Sequence, residues 1–279
     1  MLAQYNLYHT HAMTTRLGAK IEAIGNYNTR SARYRLDELL GQEILSEILE
    51  FAKGRLGAFE SSRVGAKVSD SQFVLIFDTE TTGLLPKNMP KNWWELTNEE
   101  LREYPYITQL SAVLYDVANQ KVSDVFNTYI CIPDDVVIPD IVTQITGITR
   151  EKCDSGMPIK EALVKFHKMW KSCENIVAHN MWFDSKMLKL EYKRNQMYCD
   201  VFKNYDNMHC TMIEGMRYIG ANRFVKLSYL YESLFGALPD VQLHNSLVDT
   251  IVCLRCYLKV FCDQELSDKE FGKIIKKLV

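Results

Sequence analysis

No apolar run in the 279-residue sequence reaches the length needed to span a membrane, and the N-terminus lacks the apolar core of a secretory signal. The eight cysteines are scattered, with no short, loop-rich, cysteine-dense region, so a disulfide scaffold is excluded and reduced thiols in an intracellular, cytoplasmic protein are expected, with nucleus or organelle left open. Cys253 and Cys256 form the one close pair, but no second pair stands at zinc-ligand spacing, and core packing is their expected role. Charge of either sign is not in excess. The formal net charge of −2 supplies no global attraction to polyanions, so any phosphate binding must come from local patches or metal ions. Internal repeats and low-complexity segments are absent. Acids are scarce over residues 1–35, where Glu22 alone faces Arg16, Lys20, Arg30, Arg33 and Arg35. That start suits a solvated tail or a phosphate-contacting arm, and an organelle transit segment has the same composition.

What is present is a core of ordinary size: 47% of residues are hydrophobic and 24% charged. Residues 34–53 place Leu36, Leu39, Leu40, Ile44, Ile48, Leu49 and Phe51 near a 3.6-residue period, which predicts an amphipathic helix. A polar Gly/Ser linker follows. An apolar strand opens at about residue 72, and Thr97 and Glu100 are spaced as a capping box for a short helix that Pro105 ends. Residues 107–116 and 122–132 read as an antiparallel hairpin. From Ile141 on, helices alternate with short strands at 175–179 and near 208–212, and the last long helix runs from about Asn245 to Cys262. This order predicts an α/β fold with a mixed sheet.

The chemistry concentrates where strands end. In QFVLIFDTETTGLLP, residues 72–86, Asp78 and Glu80 stand two apart and so share one face of the strand. Two carboxylates held side by side take up a proton or a cation, and oxygen ligands suit Mg²⁺ or Mn²⁺. A strand running out into a polar turn would look the same. A third acid, Asp184, begins the helix after the strand in NIVAHNMWFD, and ligands of open α/β sheets gather at such carboxyl ends. Asn180 is suited to cap that helix, and Phe183 is either core or an apolar surface for a base. In LHNSLVDT, His244 and Asp249 are five apart, 140° around a helix, and cannot converge on one continuous helix. With Asn245 as N-cap, His244 stays on the preceding loop, placed to act as a general base, while Asp249 lies one turn inside; a plain surface histidine is the alternative.

FDTETTGL, AHNMWFD and HNSLVD resemble, in order, the three motifs of the DnaQ-like DEDDh 3′-to-5′ exonucleases, the class of the proofreading ε subunit of DNA polymerase III. YPYITQLSAVLYD, ITGIT and KLSYLYESLFG are weaker matches, and the likeness covers about residues 72–262. It implies a ribonuclease H-like fold, a mixed five-stranded sheet flanked by helices, with the exonuclease domain at 71–265, a helical N-terminal extension at 1–70 and a C-terminal helical tail at 266–279. It further implies that Asp78, Glu80, Asp184 and Asp249 hold two divalent cations, Mg²⁺ or Mn²⁺, and that His244 takes the proton of the attacking water. Thr81, Leu84, Asn180 and Phe183 would position the terminal nucleotide. The implied substrate is a nucleic-acid 3′ end, DNA over RNA. The alternatives are an exoribonuclease of the same superfamily and an inactive binding module, though such a module would be expected to have lost an acid or the histidine. The extension could dock in cis, bind a protein partner or pair two copies. Two departures stand out: Ser246 replaces the alanine of many members, a change expected to leave the chemistry alone, and residues 85–104, with Trp93 and Trp94, are longer than in the simplest members.

Overall fold

A computed structural model describes residues 73–87, 89–90, 93–203 and 205–279. The helix expected over 34–53 and the linker after it lie outside these residues. The chain divides into two units, and the sheet belongs to the larger, residues 52–85 with 91–279.

The first strand, β1 (Phe73–Thr81), is central in the sheet. It pairs antiparallel with β2 (Ile107–Asp116), which pairs antiparallel with β3 (Lys121–Cys131). On its other side β1 runs parallel to β5 (Asn175–Ala178), and β5 runs parallel to β6 (Met208–Cys210). All ten residues of β2 are buried, as a strand flanked on both sides and covered on both faces requires. The sheet has six strands rather than the expected five: β4 (Met157–Pro158) adds a parallel edge beside β3. Two residues, one of them a proline, carry no alternation from which a strand could be read.

The helices are α1 (Asp140–Thr146), α2 (Arg150–Asp154), α3 (Ile159–Trp170), α4 (Met181–Arg194), α5 (Thr211–Tyr218), α6 (Leu227–Phe235), α7 (Ser246–Phe261) and α8 (Asp268–Leu278). Thr97 and Glu100 make the reciprocal capping-box bonds, on a single 3₁₀ turn, Glu100–Glu103. Phe77 packs edge-on against Phe166 of α3 at 5.3 Å, which fixes the odd-numbered side chains of β1 on that face. The even-numbered ones, Asp78 and Glu80 included, point to the face crossed by α7. Twelve of the sixteen residues of α7 are buried, because the helix crosses β1 and β2 on one side and meets α5, α6 and α8 on others. Cys253 and Cys256 lie in this core, and all eight cysteines are free thiols.

Candidate active site

Two of the four acids leave β1, one begins α4 and one stands in the first turn of α7, so the sheet's parallel strands and two helix N-termini bring them to one end of the fold. Carboxylate oxygens of Asp78, Glu80 and Asp249 lie within 4.8 Å of one another. Asp184 is near enough to act on Asp78 and Glu80, and its Oδ1 accepts from the Thr79 N–H (3.1 Å) and hydroxyl (2.7 Å).

Burial and mutual repulsion set the electrostatics. Burial, reinforced by Asp184, Asp249 and Glu80, pushes the Asp78 carboxyl well above the usual range. Burial first, then Asp249 and Asp184, raises Glu80 to about 8. Burial raises Asp184 to about 7 against the opposing pull of the Thr79 bonds, and raises Asp249 to about 6 against the His244 N–H. Like charges gathered in a low-dielectric cleft call for a proton or a cation.

The residues fit a divalent metal. Asp249 accepts the His244 N–H through Oδ2 (3.1 Å), while its Oδ1 is buried with no partner among the described residues. An acceptor left over beside two further carboxylates is a donor set for a hard cation.

Asn245 caps α7 through its side-chain oxygen, which accepts from Leu247 N (3.1 Å) and Val248 N (3.4 Å). His244 therefore lies on the loop, exposed, with φ +67°, in the left-handed region that a side chain rarely adopts. Asn180 corrects its expectation. It occupies the N-cap position of α4, but its side chain makes no capping bond and its Oδ1 is buried without a partner among the described residues. Its backbone ψ of 69°, outside the extended range usual for a cap, accompanies that loss. Phe183 is half-buried in the first turn of α4. Thr81 closes the turn after β1 through its hydroxyl to Gly83 O (2.7 Å), and Leu84 beyond it is 85% exposed.

Two supporting residues, Thr79 and Gln109, were not read from the sequence, and a third, Ser246, was read only as a neutral replacement of alanine. Thr79 holds Asp184. Gln109, 1% exposed and in register with Glu80, accepts the Ser246 N–H through Oε1 (3.3 Å) and donates to Asn127 Oδ1 (2.9 Å). The Ser246 hydroxyl donates to the backbone carbonyl of Asp78 at 3.0 Å, a bond alanine could not make. Thr79 thus ties the start of α4 to β1, while Ser246 ties the start of α7 to β1 and, through Gln109, to β2. The readable signal for Gln109 was a glutamine between Ile107 and Leu110 in a strand of mainly apolar residues.

The chain is 27% identical over 206 residues, 74% of its length, to a DNA polymerase III subunit epsilon-like protein of Rhodobacter capsulatus. Over 71 residues, 25% of its length, it is 31% identical to ERI1 exoribonuclease 2 of Xenopus laevis. It spans only 26% and 10% of those two relatives. Its fold matches the nuclease domain of 3′hExo, a DEDDh family member bound to rAMP, with TM-score 0.55 and 18% identity, covering 70% of this chain and 94% of that one. The exonuclease family of RNase T matches residues 75–257, from within β1 to the later turns of α7 and so across all four acids and the histidine, and the chain belongs to that family.

Proposed function

We propose that the protein is a divalent-cation-dependent 3′-to-5′ exonuclease that removes nucleoside 5′-monophosphates from the 3′ end of DNA. The observation that carries this reading is the convergence of Asp78, Glu80 and Asp249 within 4.8 Å, beside Asp184, in an exonuclease-family fold. Asp78, Glu80, Asp184 and Asp249 would together hold the divalent cations. When bound, a pair of them neutralises the attacking and leaving oxygens of an in-line displacement at phosphorus. The chain's own residues do the rest. His244, on an exposed loop one helical turn from Asp249, takes the proton of the attacking water. Its backbone N–H steadies Asp249 from the same loop. Thr81 and Leu84 on one side, with Asn180 and Phe183 on the other, position the terminal nucleotide.

DNA is our assignment because the alignment to the polymerase III epsilon-like relative runs over 206 residues and that to the exoribonuclease over 71. Two-metal chemistry does not itself distinguish the sugars. The test is digestion of matched 5′-labelled single-stranded DNA and RNA with Mg²⁺ or Mn²⁺. A ladder shortening from the 3′ end is expected, faster on DNA. Faster loss of RNA would make the protein an exoribonuclease, and an absence of cleavage by the folded protein would leave a binding module.

His244→Ala is expected to lower kcat by about 10²–10⁴-fold, the usual worth of a general base. Divalent-cation binding, read by calorimetry, should persist because the carboxylates are untouched. An unchanged rate with Mg²⁺ would remove His244 from the chemistry.

A further inference from the structure

The last helix, α8, carries a charge pattern that the chemistry at the four acids does not use. At 100° per residue, Lys269, Lys273, Lys276 and Lys277 fall within about 100° of arc. Phe271, Ile274, Ile275 and Leu278 fill an arc of equal width, centred about 160° away. All four lysines are exposed, whereas Phe271 is buried and the other three apolar residues are half-buried. The helix packs its apolar face on the body of the protein and turns a basic stripe outward.

The stripe is held rigidly. Arg255, buried in α7, donates to the Leu266 carbonyl (3.1 Å), to Asp268 Oδ1 (2.8 Å) and to the Tyr231 hydroxyl, and lies 4.9 Å from the Phe271 ring centroid. Ser267 and Glu270 close a capping box at the start of α8. Both acids of the helix, Asp268 and Glu270, are thereby engaged, and none of the four lysines is in an ion pair among the described residues. Helix stability does not account for the pattern. Lys276 and Lys277, in the last turn, suit the negative end of the helix dipole, but Lys269 stands in the first turn, where a cation is unfavourable. On a chain of net charge −2, such an arc is a local patch for a polyanion.

Resting on the exonuclease reading, we propose that the lysine stripe of α8 is a separate docking surface for the phosphate backbone of a long single strand whose 3′ end lies at the acids. Its place in the fold suits that task. Tyr115 shares a face of β2 with Ser111, the register partner of Asp78, and stands four residues further along, about 14 Å. Burial, and then Glu270 of α8, push the Tyr115 hydroxyl up to about 12, so the first turn of α8 is near that end of the sheet. The stripe is therefore remote from the acids but on their face of the sheet. A strand stacked at about 3.4 Å per nucleotide covers 14 Å in about four nucleotides. A dinucleotide cannot touch both places. A lipid surface fits less well, because an amphipathic helix binds a bilayer through its apolar face, and that of α8 is already packed. The family match ends at residue 257, before α8 begins, so the stripe belongs to this chain outside the matched exonuclease region.

Two triple variants of equal charge test the surface. Lys273→Gln, Lys276→Gln and Lys277→Gln, made together, should raise KM on a single-stranded DNA of about thirty nucleotides about tenfold at about 0.1 M salt. The slope of log KM against log salt should flatten by about 2, at about 0.7 for each lost phosphate contact. On a dinucleotide, kcat and KM should stay at wild-type values, which also shows that the variant is folded. Lys160→Gln, Lys165→Gln and Lys168→Gln remove the same charge from exposed positions of α3, on the opposite face of the sheet, and should leave KM within about twofold. Equal shifts for the two triples would reduce the effect to net charge and overturn the docking surface, as would an unchanged KM or a matching change on the dinucleotide. Loss of co-sedimentation with phosphatidylserine vesicles, with KM on the long strand unchanged, would assign the stripe to a lipid surface instead. Should the wild type hydrolyse neither substrate, the exonuclease reading falls, and the stripe is judged by fluorescence anisotropy of the labelled long strand in Ca²⁺. There the same loss of affinity and the same flattened salt slope are required of the α8 triple alone.

Discussion

Asp78→Ala is expected to lower exonuclease activity by about 10³-fold or more, because it removes the carboxylate that the other three surround. Burial is the largest influence on Asp78, and Asp184, Asp249 and Glu80 all act on it, a set of neighbours that none of the other three acids matches. Loss of the fold would not be the cause. The ladder between β1 and β2 passes through backbone groups at Asp78, and the Ser246 hydroxyl bonds its carbonyl, so alanine leaves both attachments in place. Removing one of several crowded like charges also relieves repulsion. The variant should therefore show wild-type circular dichroism and, without metal near pH 8, a Tm no lower than the wild type. Retained activity in cleanly purified Asp78→Ala protein would refute the metal site. Lost activity together with a collapsed Tm would show that Asp78 serves the fold instead.

The acids were legible because each stands where local periodicity and the end of an apolar run coincide. Asp78 and Glu80 share a face by the two-residue repeat of a strand, and the Asn245 cap resolved how His244 and Asp249 reach one loop and one helix. What remained hidden depends on contacts between distant parts of the chain. The Gln109–Ser246 bond joins residues 137 apart, and nothing in the neighbourhood of either announces the other. Helix α5 was missed for a related reason. Gly215 sits in its middle, where propensity argues against helix, yet a Cβ there would come within 2.5 Å of the Leu230 side chain. The glycine is present for the packing of α5 on α6, a requirement visible only once both helices are placed. Asn180 was misread as a cap because residue type predicts capping only where the backbone turns the side chain toward the helix, and here it does not.

The metal-free protein should become less stable as pH rises from about 4 to 8, and divalent cation should reverse the loss. In the folded state burial and mutual repulsion raise Glu80 to about 8, Asp184 to about 7 and Asp249 to about 6, with Asp78 raised as well. In the unfolded chain the same groups ionise near 4. Between those limits the native state binds more protons than the unfolded state, so stability falls with each rise in pH across the window and is fully present below it. A decline of about 5–10 °C in Tm between pH 5 and pH 8 is expected for a domain of this size. Cations bind only the folded arrangement and displace those protons, so the rise in Tm on adding Mg²⁺ or Mn²⁺ should itself grow with pH. Asp78→Asn keeps the shape and removes one charge, and it should flatten both dependences. A Tm that climbs from pH 5 to 8 without metal, or a metal response that is equal at the two pH values, would mean that the four carboxylates do not share one electrostatic site.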